Sequence, residues 1–227
     1  MKKNSKKFKL KRFQKVLPKY PSILGRSSCF NSAILIPLVK VDGKLHLLFQ
    51  KRAANIRQGG DICFPGGGFD KKLDKNFKDT VYRELYEELG FLKKDIKIYG
   101  QMDTYSTAIG AIIEPFIGKI RKNAIENLKI DENEVEKILL IPLSFFKKTK
   151  PEIYTLKSMV LPYEIDEKGD KIEYFPTKNL GLPEAYHEPW GNNNHKIWVY
   201  KWEDEVIWGI TSMLIKEFLE KLKKLNS

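Results

Sequence analysis

An α/β protein is predicted by three features of this 227-residue chain. Two apolar runs, residues 32–41 and 45–51, flank Asp42-Gly43, a dipeptide that favours a tight hairpin turn. A helix ending at Gly90 carries Glu84, Glu87 and Glu88 at i, i+3 and i+4, so the three share one face. Val81, Tyr82, Leu85, Tyr86 and Leu89 fill the adjoining arc, an apolar stripe that can pack on a sheet. Further strand-like segments then follow, up to a last helix over residues 206–225.

Taken in order, residues 1–20 form a basic arm ending at Pro18, and residues 21–227 form a single domain. In the hairpin, Ala33, Leu35, Leu38 and Leu47 are core candidates. Pro37 has no N–H to give a ladder and predicts an edge position or a bulge. After the Gly90 helix, residues 96–102 read as a strand, and residues 102–118 as a polar turn and a further strand. Residues 131–146 give an acidic turn, a strand and a short helix after Pro142. From 151 to 194 Pro, Gly and Asn are scattered among Tyr163, Tyr174, Phe175, Tyr186 and Trp190, which predicts strands with long loops: an insertion or a substrate lid. A strand over residues 196–202 leads into the last helix.

Hydrophobic residues at 42% and charged residues at 31% suit a soluble protein, and the longest apolar run, residues 33–39, cannot span a bilayer. No apolar segment of signal-peptide length follows the basic start. Two cysteines, Cys29 and Cys63, cannot make a disulfide framework, so the expected location is cytoplasmic. The net charge of +12 is uneven, with eight lysines and arginines before Pro18. Basic residues 2–15 could neutralise RNA phosphates or an anionic membrane surface, or be a solvated terminus. A basic balance also suits a polyanionic small molecule, and a homodimer is left open.

The three helix carboxylates repel one another. Arg83 lies well around the helix from Glu88 and no lysine follows at a compensating position, which points to a divalent cation. All-oxygen ligands suit magnesium or manganese rather than zinc, and the competing reading is a solvated acidic face. Glu88 borders the apolar stripe most closely and is expected to be the least exposed. Upstream, Gly66, Gly67 and Gly68 read as a turn whose N–H groups can approach phosphate oxygens. Arg52 and Arg57 are spaced to clamp phosphates beside it. His187 and His195 stand alone, and carboxylates serve the metal.

Glycines, then Asp74, then Arg83-Glu84-Leu85-Tyr86-Glu87-Glu88-Leu89-Gly90-Phe91 resemble the box of the Nudix hydrolases, G-x5-E-x7-R-E-U-x-E-E-x-G-U with U apolar. The C-terminal half matches without a gap. In the other half Lys75 stands where the box has its first glutamate and Phe69 where it has its glycine, and a slip of one residue restores Asp74 and Gly68. The resemblance implies an α/β/α sandwich with a mixed sheet and a catalytic loop-helix. It also implies hydrolysis of a nucleoside diphosphate linkage with Mg2+ or Mn2+ on Glu84, Glu87 and Glu88, Arg83 among the catalytic residues, and Glu134 as a further carboxylate from the acidic turn. Arg52-Ala53, Arg57, Gly60 and Phe64-Pro65-Gly66-Gly67 resemble the coenzyme A pyrophosphatase branch of the family, with one residue missing between Arg57 and Gly60. Asp103, Thr104, Gly110, Pro115 and Gly118, and later Ile207-Trp208-Gly209, extend that likeness. The branch implies coenzyme A or acyl-coenzyme A as substrate. ADP-ribose, a dinucleoside polyphosphate or 5′-triphosphorylated RNA is the alternative, with a non-catalytic nucleotide-binding module behind them.

Overall fold

The computed structural model describes residues 14–225, so most of the basic arm expected over residues 2–15 lies outside the described residues. Strands β1 (Phe30–Val41) and β2 (Lys44–Arg52) form the predicted hairpin, turning through Asp42 at φ 47° and Gly43 at φ 79°. Their pairing covers only Leu38–Val41 against Lys44–Leu47. Beyond it the two strands part, and the segment 62–68 fills the split. There β3 (Ile62–Cys63) pairs with β2, and β4 (Gly66–Gly68) pairs with β1.

Pro37 is therefore neither on an edge strand nor at a bulge, because β1 is central. Leu35 N–H points into the split and reaches Pro65 O at 3.0 Å. Two residues on, the position of Pro37's absent N–H falls between the partners β4 and β2, where no ladder bond is lost.

The rest of the sheet grows outward from this hairpin. β7 (Ala111–Ile120) runs parallel to β1, and β5 (Ile96–Gln101) and β6 (Tyr105–Ser106) pair antiparallel with β7. On the other side β8 (Val135–Pro142) runs antiparallel to β2. This is a mixed, eight-stranded sheet.

Alternation along the strands feeds two cores. Ala33, Leu35, Val39 and Leu48 face helix α1 (Phe77–Leu89) and bury its stripe of Val81, Leu85 and Leu89. Ile36, Leu47 and Phe49 face the opposite way, onto Leu214, Ile215 and Phe218 of the last helix. The layers are helix, sheet, helix, as the α/β/α expectation requires. Two short helices, α2 (Lys122–Glu126) and α3 (Leu143–Lys148), follow β7 and β8.

The region 151–194 is richer in strands than its composition suggests. β9 (Glu152–Val160) pairs with β12 (Trp190–Trp202), which also pairs with β13 (Glu205–Ile207), while β10 (Tyr163–Ile165) and β11 (Lys171–Glu173) form a separate hairpin. Phe145 and Phe146 of α3 lock the base of this ribbon, with ring centroids 4.8 Å from Trp202 and 5.2 Å from Tyr200. The last helix, expected from residue 206, begins later: α4 spans Gly209–Lys224, because Glu205–Ile207 is used to close the β12 hairpin.

Candidate active site

Helix α1 is fixed at both ends by its sequence. The Asn76 side chain accepts from Lys78 N–H and Asp79 N–H at 3.0 and 3.1 Å, and Gly90 at φ 71° closes the C-terminus with its N–H on Tyr86 O. The stripe of Val81, Leu85 and Leu89 then sets the rotation of the helix. That rotation lays Glu84 and Glu88 over β4 and leaves Glu87 at the rim.

Glu88 is only 2% exposed, the least of the three as predicted. Its Oε1 accepts from Gln50 Nε2 at 2.7 Å, and its Oε2 accepts from Gly66 N–H at 3.0 Å. Burial nevertheless pushes the carboxyl up to about 8, with the Glu84 and Glu134 charges acting in the same direction. Burial also raises Glu84, which Arg83 partly offsets.

Arg83 binds more than its place on the helical wheel suggests. It grips Asp74 through Nε and Nη2 at 3.0 and 2.9 Å, donates to Gly68 O at 2.8 Å, and reaches Glu84 and Glu87 through Nη1, each at 2.8 Å. A cation of the chain's own thus serves two of the three carboxylates. The repulsion that pointed to a metal is relieved in part by Arg83, which the wheel measured only against Glu88. Asp74 is buried and also accepts from Asp70 N–H and Thr80 Oγ1, and the Arg83 guanidinium holds its carboxyl below the usual aspartate range.

The glycine turn is a correction. Gly66–Gly68 is a strand, and the Gly66 N–H that was expected to face phosphate is taken by Glu88. The glycines make space instead. A Cβ on Gly67 would lie 2.5 Å from Glu84 Oε2, and one on Gly66 would lie 2.3 Å from Ala33 O, where φ is also +138°. Triple glycine carries no side-chain alternation, so its sequence could not distinguish a turn from a short strand.

Glu134 closes the acidic turn, its N–H on Asp131 O at 3.0 Å and its carbonyl accepting Ala53 N–H at 2.9 Å, so the turn is stitched to the end of β2. Its charge reaches both Glu84 and Glu88. Arg52 sits on the same strand end. Its guanidinium opposes the burial that pushes the Cys63 thiol up to about 12, which places it beside Cys63 and hence near Glu88, the second influence on that thiol. Arg52 Nε also donates to Arg57 O at 3.2 Å. Arg57 itself is exposed, with no ion pair among the described residues, so the structure brings Arg52, not Arg57, to the carboxylates.

Gln50 escaped the sequence reading. It is fully buried, ties β2 to Glu88, and keeps Oε1 without a partner. Its only sequence signal is a polar residue closing the apolar run Leu45–Phe49. Glu84, Glu87, Glu88 and Glu134 offer an all-oxygen donor set that fits a hard divalent ion. Among the described residues no three such groups already converge on one point, since Glu84 and Glu87 are drawn to Arg83 and Glu88 to Gln50 and Gly66.

A mixed sheet that splits to admit a glycine strand, under a helix carrying a carboxylate face, defines an α/β protein with a loop-helix carboxylate site. The chain belongs to the Nudix family: the NUDIX domain model matches residues 30–152. It is 30% identical over 128 residues to the peroxisomal coenzyme A diphosphatase NUDT7 of Mus musculus, covering 56% of this chain and 52% of that one. It is 33% identical over 144 residues to the peroxisomal coenzyme A diphosphatase ndx-8 of Caenorhabditis elegans, covering 60% of each. It is also 26% identical over 213 residues to an uncharacterized Nudix hydrolase, NudL, of Photorhabdus laumondii, covering 93% of this chain and 95% of that one. The chain therefore spans little more than half of the two diphosphatases and nearly all of NudL. Among the described residues no helix is long and apolar enough to cross a membrane.

Proposed function

We propose that this Nudix hydrolase cleaves the diphosphate of coenzyme A or acyl-coenzyme A, giving 3′,5′-ADP and phosphopantetheine or its acyl form. The observation that carries this reading is the loop over residues 52–61. Arg52 N–H bonds Asp61 O and Gly60 N–H bonds Arg52 O, both at 3.0 Å, closing a tight loop at the edge of the carboxylate site. A Cβ on Gly59 would lie 2.3 Å from Ala54 O, and Gln58 and Gly60 take φ of 58° and 80°, so the loop's shape is set by its backbone. It offers Arg52 beside Cys63 and Glu88, and Arg57 free at its rim. One guanidinium can meet the diphosphate while the other meets a phosphate farther along the substrate. Coenzyme A has such a second phosphate at the 3′ position of its ribose. The named activities of NUDT7 and ndx-8 support the same substrate.

Glu84, Glu87 and Glu88 would hold a magnesium or manganese ion, with Glu134 as a further ligand or as the group that takes the proton. When bound, such an ion polarises diphosphate oxygens and supplies a nucleophilic water. Gln50 and Gly66 N–H fix the Glu88 carboxylate from behind, and Arg83, anchored by Asp74, holds Glu84 and Glu87 on the same face. Arg52 would offset charge that develops on the leaving phosphate. The strand ribbon 151–194 is the candidate lid within a single domain.

The test is product analysis after incubation with coenzyme A, ADP-ribose and 5′-triphosphorylated RNA in magnesium or manganese. Coenzyme A is expected to turn over fastest, to 3′,5′-ADP. Faster hydrolysis of ADP-ribose would remove the coenzyme A reading and leave the Nudix chemistry standing.

A further inference from the structure

Away from the carboxylates, two adjoining clefts open, one of about 490 Å3 beside the start of β5, the edge strand of the main sheet, and one of about 810 Å3 beside the Asp42-Gly43 turn and the end of β7. They share Lys94, Asp95, Lys119 and Arg121 and so form one groove. Lys93 and Lys97 line its first part, Lys40 and Lys122 its second, against two carboxylates, Asp42 and Asp95. Asp95 is occupied locally, since its Oδ2 accepts Leu92 N–H at 3.2 Å. Of the cations, only Lys122 is in an ion pair among the described residues, an exposed one with Glu126 at 3.8 Å. Helix α1 lends the groove Tyr82 alone, while Glu84 and Glu88 lie on the arc towards β4.

Six unpaired like charges in a concave surface repel one another, and a polyanion entering the groove would remove that repulsion. The aromatic rings narrow the choice of polyanion. Lys93 Nζ lies 4.9 Å from the ring centroid of Tyr82, which lines the groove, and Lys97 Nζ lies 5.5 Å from that of Tyr99, which is 57% exposed and follows Ile98, the last β5 residue of the lining. Lysines interleaved with an exposed ring suit a chain of phosphates carrying planar bases, with backbone charge in the groove and a base on the ring. A lipid surface is flat and would meet only the outer edges of a groove, whereas an extended strand can follow its length. The geometry points to a single-stranded nucleic-acid binding site in this groove, separate from the hydrolase centre.

The experiment uses the full chain, a fluorescein-labelled oligouridylate, and fluorescence anisotropy over a range of salt. Lys94→Glu with Arg121→Glu is expected to weaken binding about tenfold. It should also make the dependence of log K on log salt shallower by about 1.4, since each phosphate of a single strand that is no longer neutralised lowers the slope by about 0.7. Tyr99→Ala is expected to weaken binding about fivefold with the salt slope unchanged, because stacking carries no charge. Thermal melts and hydrolase turnover are expected to stay at the wild-type level in both variants, because every substituted side chain is exposed and outside the carboxylate site. Wild-type affinity in either variant overturns the proposal. So does binding that disappears only when Lys2, Lys3, Lys6 and Lys7 are changed to Glu. The third overturning result is a groove variant that loses binding to phosphatidylserine vesicles while keeping that to the oligonucleotide.

Discussion

On α1 one guanidinium ties Asp74, Glu84 and Glu87 together and anchors itself on Gly68 O, whereas the groove beside β5 and the Asp42-Gly43 turn gathers seven cations against two carboxylates, Asp42 and Asp95. Both regions are densely charged and both lie on the surface of the same sheet. In the first, charge is closed on itself and its effect is on the chain: it sets the distance from the glycine strand to the helix. In the second, charge is open, and its effect is on whatever approaches. Density of charge alone, which is all a sequence count reports, does not separate the two. Pairing does.

The largest effect is expected at Glu87. Glu87→Gln removes one carboxylate at the rim without a change of volume, and turnover on coenzyme A is expected to fall about 10²–10³-fold, while the thermal melt stays put. Rates near the wild type at saturating magnesium would show that the acidic face is only an Arg83 network.

Next in size is the anchor itself. Asp74→Ala leaves the Arg83 guanidinium, Thr80 Oγ1 and Asp70 N–H without their shared acceptor, at an expected cost of about 2–3 kcal/mol in a denaturant titration. The pH dependence has a definite sign. The folded Asp74 carboxyl lies below its unfolded value of about 3.9, so its contribution is present above that value and is lost as pH falls through the folded one. In Asp74→Asn, stability measured across the acid limb should fall less steeply than in the wild type. An equal slope would mean that other carboxylates control acid unfolding.

Arg57→Ala probes an exposed cation of the proposed substrate loop. If Arg57 meets the 3′-phosphate, KM for coenzyme A rises about tenfold or more, the equivalent of a charge-assisted hydrogen bond of ~1.5–3 kcal/mol, and KM for the 3′-dephosphorylated compound hardly moves. Equal losses on both substrates take Arg57 out of that role. The smallest expected effect is in the open region. Lys94→Glu with Arg121→Glu should shift folding stability by no more than about 0.5 kcal/mol in either direction, as surface changes away from any network do. A large loss would mean that these cations carry structure after all.

What the sequence made legible follows the same division. The hairpin at Asp42-Gly43, the Gly90 stop and the burial of Glu88 could be read because each depends on residues within a turn or two of one another. Arg83's hold on Asp74 and Gly68 could not, since the helical wheel places it only against residues of its own helix. Gln50 was hidden for the same reason: its partner lies 38 positions away. The strands over residues 151–194 lacked an alternating signature because β9 is exposed on both faces, from Ile153 and Tyr154 through Leu156 to Met159.

The split between β1 and β2 has a consequence for how this chain tolerates changes in length. Two residues, Phe64 and Pro65, join the strand that pairs with β2 to the strand that pairs with β1, and Pro65 O is itself bonded to Leu35 N–H. An inserted residue there would break one pairing and move Gly66 N–H off Glu88. The stretch from Phe69 to Lys75 is different. Its far end is held by side chains, Asp74 on Arg83 and Thr80, which can re-form after a residue is gained or lost. Gly68 and Asp74 keep the spacing of the family's box, so the one-residue offset of this chain falls after Asp74 and before Arg83, where a change of count leaves the fitted segment 62–68 untouched.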